Sequence, residues 1–283
     1  MRSRKQVALL GVTLLAGILA LVLGCGSDNK STDNPANYGD PEFLVVQGEM
    51  ENFVDSTLES FTTGMGAIYQ LEPDTTLNEV FFGPGPFEPP TDSISASYGS
   101  GWHVVYIGLD RTLYYLVIRD SVQFLKEGQP QQEADGLDSL RFHHQWAFRF
   151  KDTTVSHRDG EGNANYYFGG LNTSVTTING TNDRQVWAKF VSEDSTVWRS
   201  LHVEASVYDV QLRRGAGGWV QHCPSSGSIS ATIEMVYQKD LEAPDTTVWQ
   251  VNTSFEDGSV TTTVTKSGFA WTYTKQRCTP PSL

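Results

Sequence analysis

From Ser97 to its end the chain is a succession of strand-like runs with turn residues between them, and none of the runs shows a helical period. This constrains the fold more than any other feature. Without helical crossovers, consecutive strands are joined by hairpins and build an antiparallel sheet. The expected strands are Trp102 to Gly108, Thr112 to Leu125, Leu137 to Phe150, Asn165 to Ile178, Arg184 to Val191 and Val197 to Leu212, followed by Ser228 to Gln238, Thr247 to Phe255, Ser259 to Thr265 and Phe269 to Thr274. One phrase recurs between them: "KDTTV" at Lys151, "EDSTVW" at Glu193 and "PDTTVW" at Pro244. In each, Asp favours a turn and Thr-Thr-Val or Ser-Thr-Val starts a strand. The irregular spacing argues against a solenoid. "FEDGSV" reads as a further hairpin, turning at Asp257-Gly258.

Long strands in this order predict a mainly β fold, an antiparallel up-and-down meander forming a barrel or a curled sheet, with a β-sandwich as the alternative. The run "LYYLVI", Leu113 to Ile118, is apolar on both faces. It suits a strand with core on its inner side and a helix on its outer side.

One helix precedes the strands. Asp40-Pro41-Glu42 supplies an N-cap, a first-turn proline and an acid near the positive end of the helix dipole. Phe43, Val46, Met50, Phe53, Val54, Leu58, Phe61 and Met65 then recur at three- and four-residue steps, as far as Gly64 and Gly66. Glu49, Glu51, Asp55 and Glu59 fall mostly on the opposite side. The apolar stripe is expected to pack on the sheet. "FFGPGPFEPPTDS", from Phe81 to Ser93, is a Pro/Gly-rich connection that no regular element should cross.

The first 25 residues have a different character. Arg2, Arg4 and Lys5 lead into the uncharged apolar run "VALLGVTLLAGILALVLG", which ends at Gly24 directly before Cys25. This is the three-part pattern of a secretory signal. By length alone the run would also suit an uncleaved membrane anchor. "L-V-L-G-C" resembles the lipobox of bacterial lipoproteins, with Leu23 where a smaller residue is commoner. The resemblance covers residues 1–25 only. It implies cleavage before Cys25, lipidation of that cysteine and attachment to a membrane of the cell envelope, the outer membrane if the host is Gram-negative. A cysteine carrying several acyl chains is a durable tether, since two or more anchoring signals hold where one does so only marginally. The expected organisation is a signal peptide over 1–24, a lipidated Cys with a flexible polar tether over 25–40, the helix and its connection over 41–96, and an antiparallel β domain over 97–283.

Loss of the signal leaves 17 of the 20 basic residues against 33 acidic ones, a balance of −16. A body so charged repels phosphate backbones, which disfavours a nucleic-acid partner. Beyond Cys25, the two remaining cysteines, Cys223 and Cys278, form an even pair in an oxidising compartment and are expected to be bonded, with two free thiols as the alternative. Neither lies in a C-x-x-C, so a redox or zinc role has no support.

Candidate sites are few. In "DSLRFHHQWAFRF" strand alternation puts Phe142, His144, Trp146 and Phe148 on one face, and Arg141, His143, Gln145 and Arg149 on the other. The adjacent histidines therefore cannot meet on one metal. His144 is expected as a hydrogen-bonded core histidine or as a polar group facing a cavity, and Phe142, His144, Trp146 and Phe148 are the candidate lining of an apolar ligand site. His202 and Glu204 share a face in "RSLHVEASVYD", as a surface pair or an acid/base pair. "RDGEGNAN" alternates Asp159, Glu161 and Asn163 like the front of a calcium loop. Gly170 stands where the closing Glu should be, so a polar hairpin tip is the better reading. No nucleophile elbow, zincin helix or phosphate loop is present in the sequence.

The expectation is a non-catalytic lipoprotein without a cofactor. It binds an apolar or lipid-like ligand, or else acts as a structural or protein-interaction component of the envelope. A glycan-acting enzyme is the third reading.

Overall fold

The computed structural model describes residues 37–69, 93–110, 114–133, 135–151, 156–191, 195–213 and 224–276. The signal-like segment, Cys25, Cys223 and Cys278 lie outside them. One helix, α1 (Pro41–Tyr69), is followed by twelve strands: β1 (Ser93–Gly99), β2 (Trp102–Asp110), β3 (Tyr114–Lys126), β4 (Gln129–Gln131), β5 (Ser139–Lys151), β6 (Ser156–Gly169), β7 (Val175–Val191), β8 (Thr196–Arg213), β9 (Pro224–Lys239), β10 (Asp245–Glu256), β11 (Ser259–Lys266) and β12 (Phe269–Gln276). All strands belong to one sheet and pair antiparallel in sequence order, with β4 a short flap on β3. Tight two-residue turns join several pairs. At Ser100-Gly101, Glu127-Gly128, Asp257-Gly258 and Ser267-Gly268 both central residues have positive φ, as hairpins with the right-handed strand twist require.

The meander is as expected, but it is not closed: among the described residues β1 and β12 each pair on one side only. What the sheet encloses is α1. Asp40 caps the helix through Oδ1, which accepts the backbone N–H groups of Glu42 and Phe43 at 2.8 and 3.3 Å. Phe43, Val46, Met50, Phe53 and Val54 are fully buried in one cluster with inward residues of β3 and of β5 to β12. Two acids only two residues apart on α1 reach opposite sides of the curl. Glu49 meets Arg184 on β7 and Glu51 meets Lys275 on β12. In a flat sheet those strands would lie roughly 24 Å apart, five spacings of about 4.8 Å, whereas a helix with its side chains is about 10–12 Å across. The sheet therefore wraps round the helix.

At the β12 edge the segment preceding α1 is seated on the sheet. Tyr38 Oη donates to the Thr272 carbonyl at 3.3 Å and accepts the Thr272 N–H at 3.2 Å, and Trp271 Nε1 donates to the Asn37 carbonyl at 3.1 Å. Phe43 stacks on Trp271 at 5.3 Å between ring centroids.

Three expectations change. The run Asn165 to Ile178 is not one strand. β6 ends at Gly169, and a turn intervenes in which Gly170 has φ 78° and the Thr173 hydroxyl donates to the Gly170 carbonyl. The second half of that run and Arg184 to Val191 then form one strand, β7. The helix does not cover the outer face of "LYYLVI" either. Leu116 and Ile118 face inward, Tyr115 is exposed, and α1 lies on the inward side. Finally, Glu49 is not on the solvent side of α1: it flanks the apolar stripe and is drawn to Arg184.

Truncating a side chain held between helix and edge strand tests this arrangement. Phe43→Ala should lower unfolding stability by about 3–5 kcal/mol, read as a fall in denaturant midpoint with little change in slope.

Candidate functional site

The inward face of β5 carries Leu140, Phe142, His144, Trp146, Phe148 and Phe150, opposite Phe124, Val122, Asp120, Ile118 and Leu116 and Tyr114 of β3. Alternation thus splits the histidine doublet. His143 points outward and lies against the ring of Trp102, 4.6 Å between centroids. Burial, and after it the charge of Arg141, hold its pKa below the ordinary histidine value. His144 points inward, and its Nδ1–H donates to Asp120 Oδ1 at 2.6 Å. The two side chains are 21 % and 22 % exposed, so the pair belongs neither to a sealed core nor to open surface.

It stands between two apolar clusters. The larger one holds α1, with Phe142 packed against it. The smaller one consists of Leu116, Ile118 and Phe148, with Ile107, Leu109, Trp146, Phe150 and Val186 only partly covered around them. The Trp146 and Phe148 rings stack at 5.7 Å and lie over β6, where Gly162 and Gly160 are their cross-strand partners. A Cβ at Gly162 would come within 2.6 Å of the indole, and one at Gly160 within 2.5 Å of the Phe148 ring. The glycines of "RDGEGNAN" are thus the floor for two aromatic rings.

That packing also corrects the calcium reading. Asp159, Glu161 and Asn163 are the outward face of β6, inside a strand and not at a hairpin tip. The Asp159 carboxylate accepts from Arg149 Nε at 2.8 Å and from His157 Nε2 at 2.6 Å, so it is already held by basic neighbours.

A second polar group lies inside the curl. Arg184 is the inward residue of β7 next to Val186, with its guanidinium 5.0 Å from the Phe53 ring centroid. Its Nη2 donates to the Glu49 carbonyl at 3.2 Å and sits 3.5 Å from the Glu49 carboxylate. Arg184 Nε and Glu49 Oε2 are buried without a hydrogen-bond partner, so the pair is incompletely satisfied. Burial raises the Glu49 pKa, against the opposing pull of Arg184 and Arg199. Burial likewise lowers that of Arg184, against Glu49 and Tyr166.

On the outward face a polar trough of about 470 Å³ crosses β6 to β9, lined among others by Asn163, Asn165, Thr181, Asp183, Glu204 and Tyr208. His202 lies beside it. Its Nε2 is 3.0 Å from Asp183 Oδ1 and 3.9 Å from Glu204 Oε1, so its closer partner is on the neighbouring strand and not the Glu204 of its own. Asp183 and Glu204 are directly opposite each other, an unfavourable placement for like charges that the imidazole mitigates. Donor atoms of the three residues lie within 4.8 Å of one another, one nitrogen and two oxygens of the kind that bind divalent cations. Both carboxylates are more than half exposed, which makes this a surface cluster.

Comparison with protein-family models, curated proteins and solved structures returns no match. The site has to be read from its own chemistry.

Asp120 was the residue to find beside His144. The signal was a lone acid in the apolar run of β3, two residues beyond Ile118 and therefore on the same face. Arg184 and Asp183 carried no comparable signal, because their roles come from strand register and from the helix inside the curl.

The raised Glu49 pKa has a testable sign. Between the ordinary carboxylate value of 4.5 and the raised folded value, the folded state binds more protons than the unfolded one. The Glu49 contribution to stability is thus present below that window and falls as pH rises through it. Glu49→Gln should remove this decline from the pH–stability profile. Below that window the variant and the wild type should be about equally stable, since the amide resembles the protonated carboxyl, and above it the variant should be the more stable of the two. A variant less stable than wild type above the window would show that the ion pair outweighs the cost of burial.

Proposed function

We propose that the chain is an exported, lipid-anchored lipoprotein of the cell envelope, which works without catalysis and binds an apolar, lipid-like ligand against the inward face of its curled sheet. The observation that carries this reading is the smaller apolar cluster, where Trp146, Phe150, Ile107, Leu109 and Val186 are left partly covered beside the His144–Asp120 pair. Apolar surface lined by aromatic residues, with one oriented polar group at its border, is the usual make-up of a small-molecule site. In this reading Trp146 and Phe148 line the ligand's hydrocarbon part and His144 meets its polar end. Phe142 packs against the larger cluster and supports the wall.

Purified from its native membrane in mild detergent, the protein should carry lipid detectable by native mass spectrometry. Trp146→Glu should reduce that occupancy about tenfold, as expected from placing a charge in an apolar site. Equal occupancy in the variant would sink the reading.

A structural or protein-interaction role rests on a different feature, the outer edge of β1, which has no strand partner among the described residues. The glycan-acting alternative would have to draw on Asp183 and Glu204 beside the outward trough.

The anchor is proposed at Cys25, from its lipobox-like context. A Cys25→Ser variant should leave the membrane fraction. The Cys223–Cys278 bridge is proposed from chain connectivity. The Gly258 N–H donates to the Pro224 carbonyl at 3.1 Å, and Ser259 pairs with Gln276, so the residues flanking both cysteines meet at one hairpin. Cys223 directly precedes Pro224 and Cys278 follows Gln276 by two, each residue spanning at most about 3.6 Å. Non-reducing peptide mapping should link the two cysteine peptides.

A further inference from the structure

The exposed apolar residues are not spread evenly over the sheet. Strand alternation sends the β2–β3, β5–β6, β7–β8, β9–β10 and β11–β12 connections to one end, and the others to the opposite end. At the first end Phe190, Trp198, Tyr237, Leu241, Val248 and Phe269 are all exposed, with Leu241 wholly in solvent at the tip of the β9–β10 turn. Among the described residues, the large apolar side chains exposed at the opposite end are all tyrosines: Tyr98, Tyr167 and Tyr208. Of the three Asp-Thr-Val-type phrases, the one at Pro244 is described throughout, and it lies at the first end.

This rim also differs in charge. Among the described side chains of segments 110–115, 149–159, 189–199, 237–248 and 266–269, six are basic and five acidic, close to neutral in a chain whose balance without its signal is −16. Basic groups lie beside the aromatic ones. Lys189 Nζ is 4.7 Å from the Trp198 ring centroid, and the Arg158 guanidinium is 5.6 Å from that of Phe190. The turn that carries Leu241 is held in place. Asp240 Oδ1 accepts the Thr196 N–H at 2.7 Å, and the Asp240 N–H donates to the Thr196 carbonyl at 2.7 Å.

Two further features point the same way. The smaller inward cluster extends to this end, since Phe150 and Leu109 are each the last residue but one of their strands, β5 and β2. The chain also leaves the described domain close by, at Asn37 beside Trp271, near the start of β12. Between Cys25 and Asn37 lie eleven residues, which span at most roughly 40 Å when extended.

We propose that the rim carrying Phe190, Trp198, Tyr237 and Leu241 is a membrane-docking face, which rests on the bilayer surface holding the chain's own anchor and turns the mouth of the inward apolar site toward the lipid. Aromatic side chains with adjacent Lys and Arg suit the headgroup level of a bilayer, where one part of the group is wet and the other apolar. The neutral rim is where an otherwise anionic body meets least repulsion from anionic headgroups. A tether of this length holds the domain near the surface, so the docking contacts need only be weak. The proposal builds on the lipoprotein reading above, by adding an orientation.

Hydrogen exchange on the full lipidated protein tests it, in detergent and in vesicles of phosphatidylethanolamine and phosphatidylglycerol. Peptides covering 187–191 and 237–248 should exchange about tenfold more slowly in vesicles, while peptides covering 167–175 and 206–213 at the opposite end should not change. Trp198→Glu with Leu241→Glu should abolish the difference, and Tyr167→Glu with Tyr208→Glu should leave it intact. Equal protection at both ends, or none at the rim, overturns the docking face. Mass spectrometry of the Cys25 peptide separates the two readings. If Cys25 carries lipid and the rim is unprotected, the docking face fails and the anchor stands. If Cys25 carries none, the anchor reading fails. Added vesicles then decide the docking face alone, upheld by rim protection and overturned by its lack.

Discussion

The contact on which the rest depends is that of one helix with the two sides of a curled sheet. Each strand pair supplies its own backbone hydrogen bonds, but pairing alone does not say how far a meander bends. The bend is set by α1, whose Glu49 reaches β7 while Glu51 reaches β12 and whose Phe43 stacks on Trp271. Burial of Phe43, Val46, Met50, Phe53 and Val54 supplies the driving force. The ion pairs supply placement more than stability. Lys275–Glu51 is partly solvated, and the Arg184–Glu49 pair leaves two polar atoms unmatched. A buried pair of that kind is more convincing as a register pin, fixing which turn of the helix faces which strand.

The helix also divides the inward face. Where it lies, the aliphatic rows of β8 to β11 close over it and the interior is packed. Away from it, Trp146 and Phe150 of β5 continue past His144 with only part of their surface covered, on either side of the buried Phe148. The Asp120–His144 pair marks the change between the two regions. Gly160 and Gly162 have a part in this, since side chains there would push Phe148 and Trp146 off the sheet. The flat aromatic lining is thus a property of two neighbouring strands read together, large residues on one and none on the other.

Much of the fold was legible in the sequence, for physical reasons that also explain the failures. Alternation in "RFHHQWAF" specifies a face without any knowledge of tertiary structure, because the period is local. The N-cap at Asp40 and the turn at Asp257-Gly258 are local in the same way. The merging of "NYYFGGLNTSVTTI" into one strand failed because both halves alternate correctly and the break is made by Gly170 and the Thr173 hydroxyl. The calcium-like spacing of Asp159, Glu161 and Asn163 misled because a strand face and the front of an ion-binding loop both place oxygens at every second residue. Glu49 and Arg184 were out of reach: each looks like a surface charge until the sheet curls and brings them together.

Tyr38 and Thr272 are 234 residues apart, yet one hydroxyl serves both backbone groups of that edge residue. The first described segment and the last strand therefore depend on each other. A chain emerging in order from its N-terminus has the helix early and its seat on β12 almost last, so Tyr38 and Phe43 must wait for Thr272 and Trp271 while the other strands are delivered. Contacts of such separation are slow to form, because loop closure precedes any gain from them. A chain interrupted before Phe269 would hold nearly all of its sheet and could still cover much of its helix, but it would lack the edge that seats Phe43, Glu51 and Tyr38.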